Sequence, residues 1–266
     1  MTLKTLLVAS CYLLLIACGG GIVETRDSAP IYSPDVSSIP NAVPRDEPKS
    51  KYGNPAHYEV FGKRYYTLNS SKGYREKGIA SWYGKKFHGR RTSSGETYDM
   101  HAMTAAHTTL PLPTYVEVTN LANGKKIIVK VNDRGPFHDN RLIDLSYTAA
   151  KKLGIISKGT GMVEVRAITK NAHYTTASVP VTNVTNSGYV GLYLQVGAFS
   201  TSTLAQQLKE KLQRQIGDTI LIVPLKKPEG NLYRVRVGPL SNVEYGDSLA
   251  KQLVGLGFYD AHIVVD

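Results

Sequence analysis

Cysteine is nearly missing from this chain of 266 residues: it has two, Cys11 and Cys18, both within the first eighteen positions. No disulfide framework and no cysteine-rich metal site can organise the rest, whose folds must rest on ordinary apolar cores. A membrane-spanning helix is also missing from the N-terminus, where the apolar run from Leu6 to Ala17 falls short of the about 20 residues a span requires. The histidines include no His-x-x-x-His pair, the spacing that sets two zinc ligands on one helical face. A metal hydrolase built on His88, His101, His107 and His138 is therefore the weakest reading, and neither metal nor cofactor is expected. Acidic residues are scarce, 21 Asp and Glu against 32 Lys and Arg, which leaves a net charge of +11.

The short apolar run follows Lys4 and suits a secretory signal peptide. It ends Leu15-Ile16-Ala17-Cys18, which resembles the lipobox of bacterial lipoproteins. That resemblance implies a signal peptide over 1–17, cleavage before Cys18 and acylation of its thiol and new amine. Several acyl chains anchor a protein stably where one does not. Gly19 in place of an acid resembles lipoproteins sent to the outer membrane. Prolines at 30, 34, 40, 44, 48 and 55 then mark residues 18–75 as an extended tether. A second linker is expected over 171–187, rich in Thr, Ser, Asn and Val. Two units of domain size remain, 76–170 and 188–266.

The first unit concentrates the chemistry. It reads Gly-Ile-Ala-Ser-Trp-Tyr-Gly at 78–84, Ser-Gly-Glu-Thr-Tyr-Asp at 94–99, Thr-Ala-Ala-His at 104–107, Val-Asn-Asp-Arg-Gly-Pro-Phe at 131–137 and Ile-Asp-Leu-Ser at 143–146. Carboxylates for proton transfer and aromatic faces for sugar rings are how a carbohydrate cleft is furnished. Thr114–Asn120 and Lys126–Val131 are rich in β-branched residues and joined through Asn123-Gly124, a hairpin signal. Strict alternation puts Ile127, Val129, Val131 and Asp133 on one core-directed face. A carboxyl there is partly desolvated, which raises its pKa and suits it to donate a proton. A turn-capping aspartate is the alternative for Asp133, and solvated loop acids for Glu96 and Asp99. Asp144 or Ser146 caps the short helical run from Tyr147, which Gly154 closes. Trp82 and Tyr83 are each either core aromatics or a sugar-stacking platform.

These motifs, in this order, resemble the double-psi β-barrel domain of the RlpA family of bacterial lipoproteins. The resemblance implies a mainly β six-stranded barrel, and on it rest the functional roles given to Glu96, Asp99, His107 and Asp133. Asp144 resembles the acid of related barrels in expansins and some glycanases and is kept in second rank.

The second unit repeats itself: Leu192–Ser200 is echoed by Leu232–Ser241, each strand leading to an amphipathic helix. The helices are expected to bury Leu204, Leu208 and Leu212, then Leu249, Leu253 and Leu256. With strands at 220–225 and 261–265 the pattern is βαββαβ, an antiparallel sheet with helices on one face. This half resembles the SPOR domain, a module that binds peptidoglycan glycans stripped of peptides, which makes Gln195, Tyr233 and Arg236 candidate glycan ligands. A similar sheet binds RNA in other proteins, but the secretory signal argues against nucleic acid.

The charge sits mostly on the barrel, with 14 Lys and Arg against 8 Asp and Glu from Glu76 to Ile168, and 8 against 7 from Gly188 to Asp266. Peptide-free glycan carries a lactyl carboxylate on every muramic acid, a polyanion such a surface attracts; anionic lipid headgroups are the competing partner. The expected function is an endolytic lytic transglycosylase on peptide-free strands at the division septum, with Asp133 as acid. The alternative is an expansin-like module that binds glycan without cutting it.

Overall fold

The computed structural model describes residues 27–30, 35–168, 191–228 and 230–266. Cys18 and the linker at 171–187 lie outside the described residues.

A hairpin of β1 (His57–Val60) and β2 (Lys63–Tyr66) precedes a closed six-stranded barrel. The barrel strands are β3 (Arg75–Tyr83), β4 (Thr104–His107), β5 (Thr114–Asn120), β6 (Lys126–Asp133), β7 (Ile143–Ser146) and β8 (Gly161–Ala167), with α1 (Tyr147–Leu153) between the last two. Their order around the barrel is β3-β7-β4-β6-β5-β8. β3 runs parallel to β7 and β4 parallel to β6, and the other pairs are antiparallel. The β5–β6 hairpin turns through Asn123-Gly124, where Gly124 takes φ +70 and its N–H bonds the Asn120 carbonyl. Val116, Val118, Ile127, Val129 and Val131 fill the interior with Ile143, Leu145, Val163 and Val165. Ser146, not Asp144, caps α1, accepting the Ala149 N–H, and Gly154 ends it in the left-handed region. Asp144 is thereby left for another role.

The proline-rich stretch is extended, as its composition dictates, but it is laid along the barrel rather than held away from it. Ala42 N–H bonds the Ile128 carbonyl, Ser50 N–H the Leu112 carbonyl, and Leu68 N–H the Thr109 carbonyl. Glu47 accepts from Tyr115 and Lys130. Asn54 brackets Leu112 from both sides, its amide bonding the carbonyl and its oxygen the N–H, each at 2.8 Å. The barrel unit thus includes strands and straps before residue 76.

The C-terminal unit contains β9 (Leu192–Phe199), α2 (Ser202–Gln213), β10 (Ile220–Lys227), β11 (Gly230–Val237), α3 (Val243–Gly255) and β12 (His262–Val265). The sheet order is β10-β11-β9-β12, all antiparallel, so the two repeated strands lie side by side at its centre. Thr201 and Asn242 cap the helices. The inward stripe of α2 is Ala205, Leu208 and Leu212, which leaves Leu204 nearly half exposed, contrary to the expected phase. Leu249 and Leu253 of α3 are buried, with Leu256 packed against the same core.

The two units share a seam. Ile79, Leu121 and Met162 from the outside of the barrel pack into the same apolar cluster as the C-terminal domain. Asp247 of α3 accepts from Asn140 at 3.0 Å and from Arg141 at 2.8 Å, and Asn140 accepts the Ile263 N–H at 2.8 Å.

Candidate active site

Strand register, more than sequence spacing, assembles the site. Asp144 on β7 lies opposite Ser81 on β3 and Ala106 on β4, and Ala106 lies opposite Asp133 on β6. The row Asp133–Ala106–Asp144–Ser81 therefore crosses four neighbouring strands. Its direction follows from its neighbours: Ile143 and Leu145 point into the barrel core, so Asp144 points out. Tyr83, two residues beyond Ser81, stacks on Tyr98 at 4.1 Å on that outer side, in a cluster with Met100, Ala106 and Tyr147.

The Asp144 carboxyl is deep-set. Ser81 Oγ donates to Asp144 Oδ1. Gly135 closes over it: a Cβ there would stand 4.0 Å from Asp144 Oδ2, and its φ of +134 belongs to glycine. Burial pushes the Asp144 pKa up, against the Ser81 hydrogen bond and the nearby positive charges of Arg141 and His138; the Asp27 charge adds to the rise. A desolvated carboxyl held toward its protonated form is what a general acid requires.

Asp133 reaches the row by a route that alternation does not foresee. Val131 pairs with Ala105, but Asp133 pairs with the very next residue of β4, Ala106. Asn132 is one residue too many, a β-bulge, and it moves Asp133 from the interior line to the outer face. The expected position at the mouth of the apolar interior is corrected accordingly. Asp133 Oδ1 accepts from Ser93 N (2.7 Å), Ser93 Oγ (2.6 Å) and Arg134 N (2.7 Å). These three donors fix Oδ1 and with it the orientation of the carboxyl on the outer face. Two strand spacings put the Asp133 and Asp144 Cα atoms about 10 Å apart.

Glu96 is exposed and accepts from Lys130 Nζ and Asn132 Nδ2, both at 2.8 Å, so the bulge residue also fixes this acid beside Asp133. Asp99 is exposed too; it accepts the His101 N–H and lies 3.7 Å from His88 Nδ1, with no bond to any member of the row. His107 is fully enclosed. Its Nδ1 accepts the N–H groups of Thr109 and Leu110, and its Nε2 meets the Tyr74 hydroxyl at 2.9 Å. Tyr74 gives its own proton to Glu76, so Nε2 is the protonated nitrogen. Burial, then the Arg134 guanidinium, pull the His107 pKa down to about 3. Such a ring is a neutral brace of the loop after β4, and the functional role expected for His107 does not match its position. Arg134 is likewise a staple, donating to the carbonyls of Gly53, His107 and Leu110.

Tyr83 is buried under Tyr98, so it serves the cleft floor and not a sugar platform; Trp82 is half-buried, edge-on to Tyr147. In the second unit, Gln195 and Arg236 lie opposite each other on the sheet face away from the helices. Arg236 is buried, donating to Gln195 at 3.4 Å and to the Asp266 carboxylate, with its guanidinium over the Tyr193 ring. Tyr233 pairs with Phe199 and packs on the helix side, so it does not join them. Ser81, Gly135 and Tyr98 were not singled out by sequence; strand register reveals the first, and the path of the chain after β6 the second.

A closed double-psi barrel with an outward carboxyl row, joined to a sheet domain with helices on one face, defines the class. The barrel matches the family described as lytic transglycolase over residues 75–166, and the second unit matches the SPOR domain over 188–265. The chain is 40% identical to the endolytic peptidoglycan transglycosylase RlpA of Vibrio cholerae, across 94% of this chain and 93% of the relative. It is 41% identical to the protein of the same name from Pseudomonas aeruginosa, across 82% and 78%. A crystal structure of the RlpA SPOR domain from Pseudomonas aeruginosa, 30% identical, covers 28% of this chain and 97% of its own, with a TM-score of 0.27. This chain belongs to the RlpA family of lytic transglycosylases.

Proposed function

We propose that this chain is an endolytic peptidoglycan transglycosylase of the periplasmic cell wall, with Asp144 as its acid. The observation that carries the assignment is the Asp144 carboxyl, desolvated, hydrogen-bonded to Ser81 and central in the outward row. In its protonated form it donates to the oxygen joining N-acetylmuramic acid to N-acetylglucosamine as that bond breaks. The muramic C6 hydroxyl attacks C1 and passes its proton to the Asp144 carboxylate, closing a 1,6-anhydro ring and restoring the acid. The nucleophile is intramolecular, so one carboxyl serves both steps. Asp133 and Glu96, fixed by their donors along the same face, are placed to stabilise the oxocarbenium-like transition state electrostatically.

The finer reading is a preference for peptide-free strands, supported by the basic balance of the barrel and by the SPOR domain. Recruitment to division septa through that domain, and outer-membrane anchoring through Cys18, belong to the same proposal. Gln195 is the candidate on the open sheet face placed to meet glycan, with the buried Arg236 beneath it as its support.

Asp144→Asn keeps the Ser81 hydrogen bond and removes the proton. It should lower release of anhydro-ended products by about 10²- to 10⁴-fold, measured by mass spectrometry of digested glycan. Removing a buried carboxylate should also raise Tm at neutral pH, because a carboxyl with an elevated folded pKa costs stability above its unfolded pKa. Full activity in this variant, or reducing ends from the unmutated protein, refutes the assignment.

A further inference from the structure

The turn after β3 already holds a carboxylate, and it belongs to the chain itself. Asp27 Oδ2 accepts the Gly84 N–H at 2.7 Å and Oδ1 accepts the Lys86 N–H at 3.0 Å and its neighbour Ser28 N–H at 2.9 Å. The intervening Lys85 N–H bonds the Ser28 carbonyl at 3.0 Å. Three successive amides of the turn after β3 thus converge on residues 27–28, forming a backbone nest of the kind that binds anions. The approach is so close that a Cβ at Gly84 would fall 2.4 Å from the Ser28 oxygen. Lys85 and Lys86 add two positive charges to the same turn.

The nest lies at the end of the strand that carries Ser81, the hydrogen-bond partner of Asp144. Three residues of extended chain separate Ser81 from Gly84, about 10 Å, close to the span of one disaccharide repeat. A glycan whose scissile oxygen lies at Asp144 would bring a muramyl side group to this turn. In peptide-free strands that group is a lactyl ether ending in a carboxylate, the same functional group that Asp27 now presents.

We propose that the Gly84–Lys86 amide nest is a subsite for the lactyl carboxylate of peptide-free muramic acid, and that Asp27 is an intramolecular occupant that substrate must displace. This deepens the proposed function and rests on it for the identity of the substrate. Peptide-linked strands present an amide there, neutral and followed by bulk, so the nest discriminates by charge and by size. Displacement by an intramolecular competitor lowers apparent affinity by the fraction of time that the nest is occupied.

The test uses amide chemical shifts of Gly84 and Lys86 in the full chain, titrated with N-acetylmuramic acid or with N-acetylglucosamine, which lacks the lactyl group. Both amides should shift with the first sugar only, at a midpoint about tenfold lower in Asp27→Ala than in the unmutated chain. Asp27→Asn, which keeps the shape of the strap, should behave like Asp27→Ala. Shifts with both sugars, shifts with neither, or equal midpoints in all three proteins overturn the proposal. The readout is binding, so a failure of the transglycosylase reading would appear separately, as reducing-end products from an enzyme whose nest still takes N-acetylmuramic acid.

Discussion

His107→Asn separates a structural histidine from a catalytic one, and its size follows from the environment of the ring. Enclosure and the Arg134 charge hold the folded-state pKa at about 3, against 6.5 unfolded. Because the folded pKa is depressed, the contribution to stability is complete above pH 6.5 and is lost as pH falls toward 3. At about 1.4 kcal/mol per pKa unit, this group alone removes about 2 kcal/mol between pH 7 and pH 5, and about 4 kcal/mol by pH 3. Asn at 107 keeps an oxygen near the position of Nδ1 to accept the Thr109 and Leu110 N–H groups, but it leaves Tyr74 without its ring partner. The variant should be about 2–3 kcal/mol less stable at pH 7, and its stability should fall less steeply with acid. Denaturant unfolding at pH 7, 6 and 5 measures both curves, and their difference should shrink by about 2 kcal/mol across that range. Where the variant is folded, turnover should stay within about threefold of the unmutated protein, since the ring lies outside the carboxyl row. Parallel stability curves, or a histidine NMR titration placing His107 near 6.5, would refute the reasoning.

Ser81→Ala removes a bond that favours ionised Asp144, so the alkaline limb of the pH–activity profile should move upward; a downward move in product formation against pH contradicts Asp144 as the acid. Asp247→Ala strips Arg141 of its carboxylate at the seam, where the two side chains are only 9% and 17% exposed. The loss should be about 3 kcal/mol, and calorimetry should show the barrel and the SPOR domain melting as two transitions instead of one; a single unchanged transition would mean that the seam contributes nothing.

Elements governed by local chemistry were legible in the sequence. The β5–β6 hairpin follows from Asn123-Gly124 between β-branched runs, α1 from Ser146 and Gly154, and the βαββαβ order from its repeated strand. The cluster of acids was legible as a cluster, but not the ranking within it. Asp133 was placed by a period of two that one extra residue interrupts, and Asp144 could not be told from a helix cap until Ser146 was seen to fill that place. The straps before residue 76 were read as tether because their bonds to the barrel pair residues such as Ser50 with Leu112, 62 positions apart, which no local pattern reveals. Tyr233 was assigned to the open face although its partner Phe199 is on the helix side, a matter of register across β9 and β11.

The bulge at Asn132 also bears on how the outer face holds its acids. Deleting that one codon would leave Ile127, Val129 and Val131 pointing inward and would set Asp133 directly after Val131, still on the outer face opposite Ala106, but it would withdraw the amide that holds Glu96. Glu96 would then be held by Lys130 alone, its position loosened without a substitution at the acid itself. The bulge thus carries a hold on one acid of the face in a residue that is itself neither acid nor aromatic, which a residue-by-residue tally of acids does not register.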